Sequence, residues 1–221
     1  APAAAEGNAD SHDITFTVAL SAASQQPVSL HYASADGTAL AGSDFAPVSG
    51  TLTIPAGATS AQITVPVQGD VTYEDDEQFT LHLSQPNGVV LENSDPAATI
   101  RNDDAEPEIL LDDTQIVGQR AEFSVRLSNP SSLPIAIDYA TAGTTQDAMS
   151  TLTFAPGTTA QTLVLNADTS ASAQSSITLT LLGATNATIG RDQAQAYLLQ
   201  ETLPTAPAQG NLLFVPVAQG F

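Results

Sequence analysis

The residues with the clearest capacity for chemistry are carboxylates, and they recur at regular places in the first half of the chain. Eleven of the fourteen acidic residues in 1–104 fall in every second connection between predicted strands. Because consecutive antiparallel strands alternate in direction, every second connection lies at the same end of a two-sheet domain. We therefore expect one end of this domain to collect Glu6, Asp10, Asp36, Asp44, Asp70, Glu74, Asp75, Asp76, Glu77, Asp103 and Asp104.

Such a collection of acids needs a positive counter-charge, and the chain supplies little of it. The 221 residues contain 24 Asp and Glu against four Arg and no Lys, and Arg101 is the only arginine in residues 1–104. Carboxylates within about 4–6 Å of one another repel, so some would have to keep their protons. A hard divalent cation removes this conflict, and Ca²⁺ prefers six to eight oxygen ligands at about 2.3–2.6 Å.

Other cations fit these residues less well. Mg²⁺ tends to retain its waters and to bind few carboxylates, whereas Zn²⁺ prefers His or Cys. The chain has no Cys, and its three His are scattered: His31 and His82 occupy predicted solvent-facing strand positions, and His12 is predicted in a loop. A solvated acidic face, as in halophilic or very soluble proteins, is the alternative to a calcium site.

The elements that would position these acids are short strands, and the pattern of strands occurs twice. Apolar and polar residues alternate over short runs, and Gly, Pro, Ser and Asn interrupt them about every 8–12 residues. The sequence TFTVALS at 15–21 parallels EFSVRLS at 122–128, and LTIPAG at 52–57 parallels LTFAPG at 152–157. We therefore predict an all-β fold of two tandem immunoglobulin-like or fibronectin III-like antiparallel β-sandwiches.

The boundary between the two copies is predicted near NDDAEPE at 102–108. It gives a first repeat at 1–104 and a second repeat at 105–202. The joint is short and contains Pro107, so it should bend little. Residues 203–221 are distinct, because LPTAPAQG at 203–210 is typical of an extended linker and an apolar run follows at 212–217. This tail either adds a strand to a sheet edge or begins another module.

Four ordered segments of the first repeat resemble the signature segments of the Calx-beta domain family. They are DGTALAGSDF at 36–45, GTLTIPAG at 50–57, YEDDEQF at 73–79 and NDD at 102–104. The family occurs in sodium/calcium exchangers and in very large bacterial surface proteins. The resemblance implies an immunoglobulin-like sandwich that binds several Ca²⁺ at one end. By position, it implies calcium ligands at Glu6, Asp36, Asp70, Glu74, Glu77, Asp103 and Asp104.

Some positions depart from the family pattern or lie beside it. Gly69 stands where the calcium-binding members carry an acid, so one ion site should be weak or lost. Asp44 follows Gly42-Ser43 and is assigned to capping that turn. Asp75 and Asp76 lie between ligand positions and are expected to support the site or to face solvent.

The second repeat is predicted to be a degenerate Calx-beta-like domain that folds without metal. Gly143 stands at the position of Asp36, and about seven residues of the following connection are missing. Asp168 corresponds to Asp70, but most other acids are replaced. Ser172 and Ser175 stand at the positions of Glu74 and Glu77, and QET at 200–202 replaces NDD.

Composition and motifs together favour a protein that is not an enzyme. Glu74 and Glu77 could form a glycosidase pair, but the chain has no Trp to build an aromatic platform. A net charge of −20 opposes binding to nucleic acid and docking on anionic membranes. No apolar run approaches the roughly 20 residues that insert across a bilayer.

We therefore expect a non-catalytic calcium-binding structural module of a secreted or surface-exposed, bacterial adhesin-like protein. In this hypothesis Ca²⁺ makes the joint between the repeats rigid. The expected partners are calcium, neighbouring domains of a larger chain, and a protein or glycan surface ligand. The alternatives are a regulatory calcium sensor and an accessory, ligand-binding module of a secreted hydrolase.

Overall fold

The computed structural model describes residues 1–146, 148–168 and 176–198, and every regular element among them is a β-strand. No helix long and apolar enough to cross a membrane occurs in these three ranges. The strands of the first repeat are β1 (Ala3–Ala5), β2 (Ser11–Ala19), β3 (Val28–Ala35), β4 (Ser49–Ile54), β5 (Ser60–Gln68), β6 (Glu77–Asn87) and β7 (Ala97–Arg101). Those of the second repeat are β8 (Glu108–Leu111), β9 (Thr114–Val117), β10 (Arg120–Leu127), β11 (Ile135–Ala142), β12 (Met149–Phe154), β13 (Ala160–Asn166), β14 (Ser176–Thr185), β15 (Thr188–Ile189) and β16 (Gln193–Leu198).

The first repeat is a sandwich of a five-stranded sheet and a two-stranded sheet. The larger sheet has the order β1-β7-β6-β3-β4, and the smaller one pairs β2 with β5. Alternate residues of β6 point inward, so Phe79 and Leu81 are fully buried. Phe79 stacks on Phe45 with ring centroids 4.5 Å apart and meets the edge of Phe16 at 5.9 Å. These three rings fill the space between the sheets and hold them face to face.

The second repeat has the same two layers, but β9 joins them by pairing with β16 in one layer and with β10 in the other. The first layer has the order β12-β11-β14-β16, and the second contains β13, β10, β8 and β15. Phe123, Ile137 and Phe154 belong to its separate buried core. The prediction of two tandem β-sandwiches is confirmed, since each repeat has its own strand layers and its own buried core.

Strand pairing defines which positions of the two repeats correspond. Phe16 pairs with Ile63 across β2 and β5, and Phe123 pairs with Leu163 across β10 and β13. In the other layer, Phe79 pairs with Ala98 as Ile177 pairs with Ala196. Thus β2 corresponds to β10, β6 to β14 and β7 to β16.

The two repeats touch through one connection from each. The Tyr73 N–H donates to the Pro130 carbonyl at 3.0 Å, and the Ser132 N–H donates to the Tyr73 carbonyl at 3.0 Å. The β5–β6 connection of the first repeat therefore lies against the β10–β11 connection of the second. The linking segment runs from the end of β7 at Arg101 to the start of β8 at Glu108. The predicted limit at 202 and the tail at 203–221 lie outside the described residues.

One local prediction is wrong. His12, which was expected in a loop, lies in β2 and pairs with Val67 of β5. The sequence around it does not alternate between apolar and polar residues, so the hydrophobic pattern gives no sign that the strand begins at Ser11.

Candidate metal centre

Backbone hydrogen bonds bring the acid-bearing connections of the first repeat to one end of the sandwich. The Glu6 N–H donates to the Arg101 carbonyl at 2.9 Å, which holds the start of the β1–β2 connection beside the exit of β7. The Gln68 N–H donates to the Asp44 carbonyl at 2.9 Å, which holds the β3–β4 connection beside the end of β5. Side chains from all four segments can therefore meet.

Glu6 lies in the middle of this end and is almost completely covered. Its exposed fraction is 4%, and no other charged residue of the described ranges is buried. Burial raises the pKa of Glu6 to about 8, and the charges of Glu74, Asp70, Asp104 and Asp44 add to the increase. The carboxyl therefore holds a proton at neutral pH unless a cation takes its place.

A second group consists of Asp44, Glu74 and Glu77, each of which offers a carboxylate oxygen within 4.8 Å of the others. Burial raises the pKa of Glu77 to about 7, with further contributions from the charge of Asp44 and a hydrogen bond to it. Burial also raises the pKa of Glu74, and the charges of Asp44 and Asp70 act in the same direction. Three carboxylates held this closely form an all-oxygen set of the kind that Ca²⁺ prefers.

Asp44 is the site residue that the sequence analysis did not assign to the metal. It does cap the turn, because its Oδ2 accepts the Leu40 N–H at 2.6 Å. The same side chain also faces Glu74 and Glu77. The sign of this role in the sequence was that Asp44 lies in one of the alternate connections that collect the acids of this end. Asp36 was predicted as a ligand, but it is exposed and its Oδ1 accepts the Ala41 N–H at 2.9 Å. The structure thus brings Asp44, rather than Asp36, to the three-carboxylate group.

Asp103 and Asp104, which begin the linking segment, lie against the β1–β2 connection. Asp103 Oδ1 accepts the Gly7 N–H at 2.9 Å, and Asp104 Oδ1 accepts a hydrogen bond from Asn8 Nδ2 at 2.9 Å. Asp104 Oδ2 is buried and has no hydrogen-bond partner, unlike every other buried side-chain oxygen or nitrogen of the described residues. Burial raises the pKa of Asp104, and the charges of Asp103 and Asp70 raise it further. An unpartnered buried carboxylate oxygen is a position where a cation would fit.

The remaining predicted ligand, Asp70, occupies the β5–β6 connection. Its Oδ1 accepts the Thr72 N–H at 2.6 Å. Its charge contributes to the raised pKa values of Glu6, Glu74 and Asp104, so it lies in the field of the other acids. Asp70 therefore lies near the buried Glu6 and near Asp104 of the linking segment.

Asn102 ties the linking segment to the β5–β6 connection. Its Oδ1 accepts the Glu74 N–H at 3.2 Å, and its own N–H donates to Asp76 Oδ1 at 3.1 Å. Asn102 Nδ2 also donates to the Asp104 carbonyl at 3.1 Å. Asp76 thus supports the site through a hydrogen bond to Asn102, which is one of the two roles expected for it.

Gly69 has a structural reason for departing from the family pattern. A Cβ atom at this position would overlap the Gly7 carbonyl oxygen and crowd the Glu6 carbonyl. The close passage of the β1–β2 connection leaves no room for a side chain, so an acid cannot be accommodated without moving that backbone.

Cationic side chains do not neutralise this end. The ion pairs of the described residues join His82 to Asp95, Arg120 to Glu122, Arg126 to Asp112 and Arg191 to Asp113, and none involves a predicted ligand. The donor set contains carboxylates and no thiol. It therefore suits a hard cation such as Ca²⁺ better than Zn²⁺.

The equivalent end of the second repeat is built differently. Gly143, which stands at the position of Asp36, has a φ of 81°. Residues with a side chain, such as Asp, rarely adopt this backbone conformation. The Asp168 N–H donates to the Gly143 carbonyl at 3.1 Å, which closes this connection by a backbone contact. Ser172, Ser175 and QET at 200–202, where the sequence comparison places lost ligands, lie outside the described residues.

Solved structures similar to this chain include calcium binding domains of Calx proteins. CBD12 from CALX1.2 is 17% identical with a TM-score of 0.43, and the match covers 89% of this chain and 95% of that chain. Calcium binding domain CBD12 of CALX1.1 is 19% identical with a TM-score of 0.44, covering 89% and 96%. The apo-form Calx CBD1 domain is 25% identical with a TM-score of 0.38, covering 46% and 89%.

No curated protein matches the chain by sequence. The family profile of the Calx-beta domain does match, over residues 5–113. These residues include every acid of the candidate site and the four signature segments. Residues 5–113 therefore belong to the Calx-beta family.

Proposed function

We propose that the first repeat is a non-catalytic calcium-binding module whose ion holds the joint between the two repeats. The observation that carries this proposal is the set of carboxylates crowded around buried Glu6. Asp44, Glu74 and Glu77 offer three oxygens close together, and Asp104 offers an unpartnered one. When bound, Ca²⁺ would supply the positive charge that the side chains of this end lack. Membership of the Calx-beta family supports the choice of ion.

The joint depends on the same residues as the site. Glu74 directly follows Tyr73, whose backbone pairs with the second repeat, and the Glu74 side chain accepts a hydrogen bond from Ser132. Asp103 and Asp104 are the first acids of the linking segment. A cation held by Glu74 and Asp104 would therefore fix both the β5–β6 connection and the direction in which the linking segment leaves.

The setting that we propose is a secreted or cell-surface, adhesin-like protein of bacteria. The absence of Lys and the high acidity suit an extracellular scaffold, and a rigid joint suits a rod that is pulled. Its further partners would be neighbouring domains of a larger chain and a protein or glycan ligand. A calcium dissociation constant of about 0.1–1 mM would fit this role, whereas a sub-micromolar constant would indicate a regulatory sensor.

Thermal unfolding with calcium and with EDTA tests the binding itself. Calcium should raise the transition of the first repeat and leave that of the second unchanged. For one site, the gain is about 2.7 kcal/mol at a hundredfold excess over the dissociation constant. Melts that coincide in calcium and EDTA would contradict the proposal. Magnesium at the same concentration is the control, because it binds all-protein carboxylate sites poorly.

Small-angle scattering tests the stiffening of the joint. With calcium the maximum dimension should increase and the fitted ensembles should narrow, since repulsion no longer separates the connections around Asn102. The measurements should be made at about 0.15 M salt so that general charge screening stays constant. Calcium binding that leaves the scattering profile unchanged would make the ion a local stabiliser of the first repeat and would refute the mechanical role.

A further inference from the structure

His12 occupies the first inward-facing position of β2, next to the β1–β2 connection. It pairs with Val67 across β2 and β5. Directly paired residues of an antiparallel sheet point to the same face, and Val67 is fully buried. His12 also lies two positions before Ile14, which is 2% exposed, so both side chains are on the inner face of the strand. The imidazole therefore extends the inner face of β2 beyond the apolar core, toward the acidic end.

Although His12 is exposed, its ring makes two specific contacts with the β1–β2 connection. Nδ1 lies 3.1 Å from the Glu6 carbonyl oxygen. A carbonyl oxygen only accepts hydrogen bonds, so Nδ1 carries the proton and is the donor. The ring also covers Gly7, since a Cβ atom at Gly7 would overlap Cε1 and Nδ1 of the imidazole. His12 thus holds two consecutive residues of the connection.

The segment under the imidazole, residues 6–8, also contacts the linking segment. Gly7 has a φ of 81°, and its N–H donates to Asp103 Oδ1 at 2.9 Å. Asn8 Nδ2 donates to Asp104 Oδ1 at 2.9 Å. The same three residues supply the buried carboxyl of Glu6. The position of this short segment therefore decides where Glu6, Asp103 and Asp104 lie relative to one another.

His12 differs from the other hydrogen-bond partners of residues 6–8 in the element to which it belongs. In the described part of the chain, these residues bond to Arg101 at the end of β7, to Asp103 and Asp104 of the linking segment, and to His12. Only the bond from His12 ties the segment to the two-stranded sheet. Without it, residues 6–8 would remain bonded to β7 and the linking segment but not to β2.

We propose that His12 is a positioning residue of the candidate calcium site, acting through the Glu6 carbonyl. The inference rests on the calcium binding proposed above. The nitrogen of His12 is a poor ligand for Ca²⁺, which prefers oxygen. Its role is instead to hold residues 6–8 against β2 before the ion arrives. Ligands that are already in place bind more tightly, because binding then does not have to order them. This role also accounts for the polar start of β2, which the apolar core does not require.

Three variants of the full chain separate the hydrogen bond from the ring. In Asn, Nδ2 lies as many bonds from Cα as Nδ1 does in His, so His12→Asn keeps a donor for the Glu6 carbonyl. His12→Leu keeps a side chain of comparable bulk without a donor. The matched control is His31→Leu, which removes another exposed strand histidine of the first repeat. The His31 ring contacts Thr51 Oγ1 at 3.4 Å on the other sheet.

Calorimetric titration with calcium gives the first readout. The dissociation constant of His12→Leu should be about fivefold higher than that of the wild type, as the loss of one hydrogen bond predicts. His12→Asn should restore most of the affinity, and His31→Leu should bind like the wild type. Equal affinities of His12→Leu and the wild type would overturn the proposal. It would also be overturned if His12→Asn were as weak as His12→Leu, because the donor would then be irrelevant.

Amide hydrogen exchange in EDTA gives a second readout that does not depend on the ion. His12→Leu should speed exchange at the N–H groups of Glu6 and Gly7, and His12→Asn should not. Exchange at Phe79 in the core should stay unchanged in both, which separates a local release of residues 6–8 from a general loss of stability. Equal exchange at Gly7 in the wild type and His12→Leu would contradict the hold of His12 on this segment. A wild type that binds no calcium would contradict the proposed function, and the exchange at Gly7 would still support or refute that hold.

Discussion

Calcium binding to the first repeat should release protons and should strengthen as the pH rises. The structure supplies the reason, because burial raises the pKa of Glu6 to about 8. Burial and the neighbouring Asp44 raise the pKa of Glu77 to about 7. Carboxylates that hold a metal ion must be ionised, so the ion displaces whatever protons these groups carry.

The size of the effect follows from the two pKa values. At pH 7, a carboxyl with a pKa of about 8 carries about 0.9 proton and one with a pKa of about 7 carries about 0.5. Binding that ionises both therefore releases about 1.4 protons, and the affinity should increase roughly 25-fold per pH unit near pH 7. The stability of the apo protein should instead fall as the pH rises. Because folding raises the pKa values of Glu6 and Glu77, their contribution to the free energy of unfolding is fully present below about pH 4.5. It is lost as the pH rises through about 7–8.

Isothermal titration calorimetry in buffers of different ionisation enthalpy measures the proton release directly. Glu6→Gln should remove about 0.9 proton from the release at pH 7 and flatten the pH dependence of the affinity. Glu92→Gln, an exposed acid at the opposite end of the sandwich, is the matched control and should change neither quantity. A dissociation constant that is equal at pH 6 and pH 8, with no proton released, would show that the two glutamates are already ionised or do not bind the ion.

Two further predictions concern single residues of the site. Glu74→Gln and Asp104→Asn should each weaken calcium binding in a titration. The stability of the apo protein should stay equal or rise slightly, because each change removes one charge from a group of mutually repelling carboxylates. A large loss of apo stability would mean that these carboxylates hold the fold by hydrogen bonds. Gly69→Asp, which restores the acid typical of the family, should lower the melting temperature and should not improve the calcium affinity, because its side chain would displace the Gly7 backbone. Gly57→Asp, at a position with a φ of +82° and open space around its Cβ, shows in the same melt what backbone strain costs without overlap.

The sequence predicted the strands well because burial on alternate faces leaves a direct trace in the residue types. The run Phe79, Leu81 and Leu83 became β6 with all three side chains buried. The alternation of apolar and polar residues is absent where a strand extends beyond the core. The polar start of β2 around His12 is an example, since it is fixed by pairing with β5 and not by burial.

The structure brings the acid-bearing connections to one end, as their order predicts, but that order does not say which side chain of a connection faces its neighbours. Asp36 and Asp44 belong to one connection, and each accepts a backbone N–H of the same turn. Which of them faces Glu74 depends on the path of that turn in three dimensions, and neither spacing nor residue type encodes it.

The two repeats solve the same electrostatic problem in different ways, and the difference explains where a response to calcium can arise. In the second repeat Asp112 pairs with Arg126 at 2.5 Å and Asp113 pairs with Arg191 at 2.6 Å. The Gln195 N–H and Arg191 lower the pKa of Asp113, so that carboxylate is neutralised within the chain. The carboxylates of the candidate site in the first repeat have no such partners, so their counter-charge would come from solution. Glu74 of the candidate site directly follows Tyr73, whose backbone pairs with Pro130 and Ser132 where the repeats meet. Under the proposed function, a change in calcium concentration would therefore act first at the joint between the repeats.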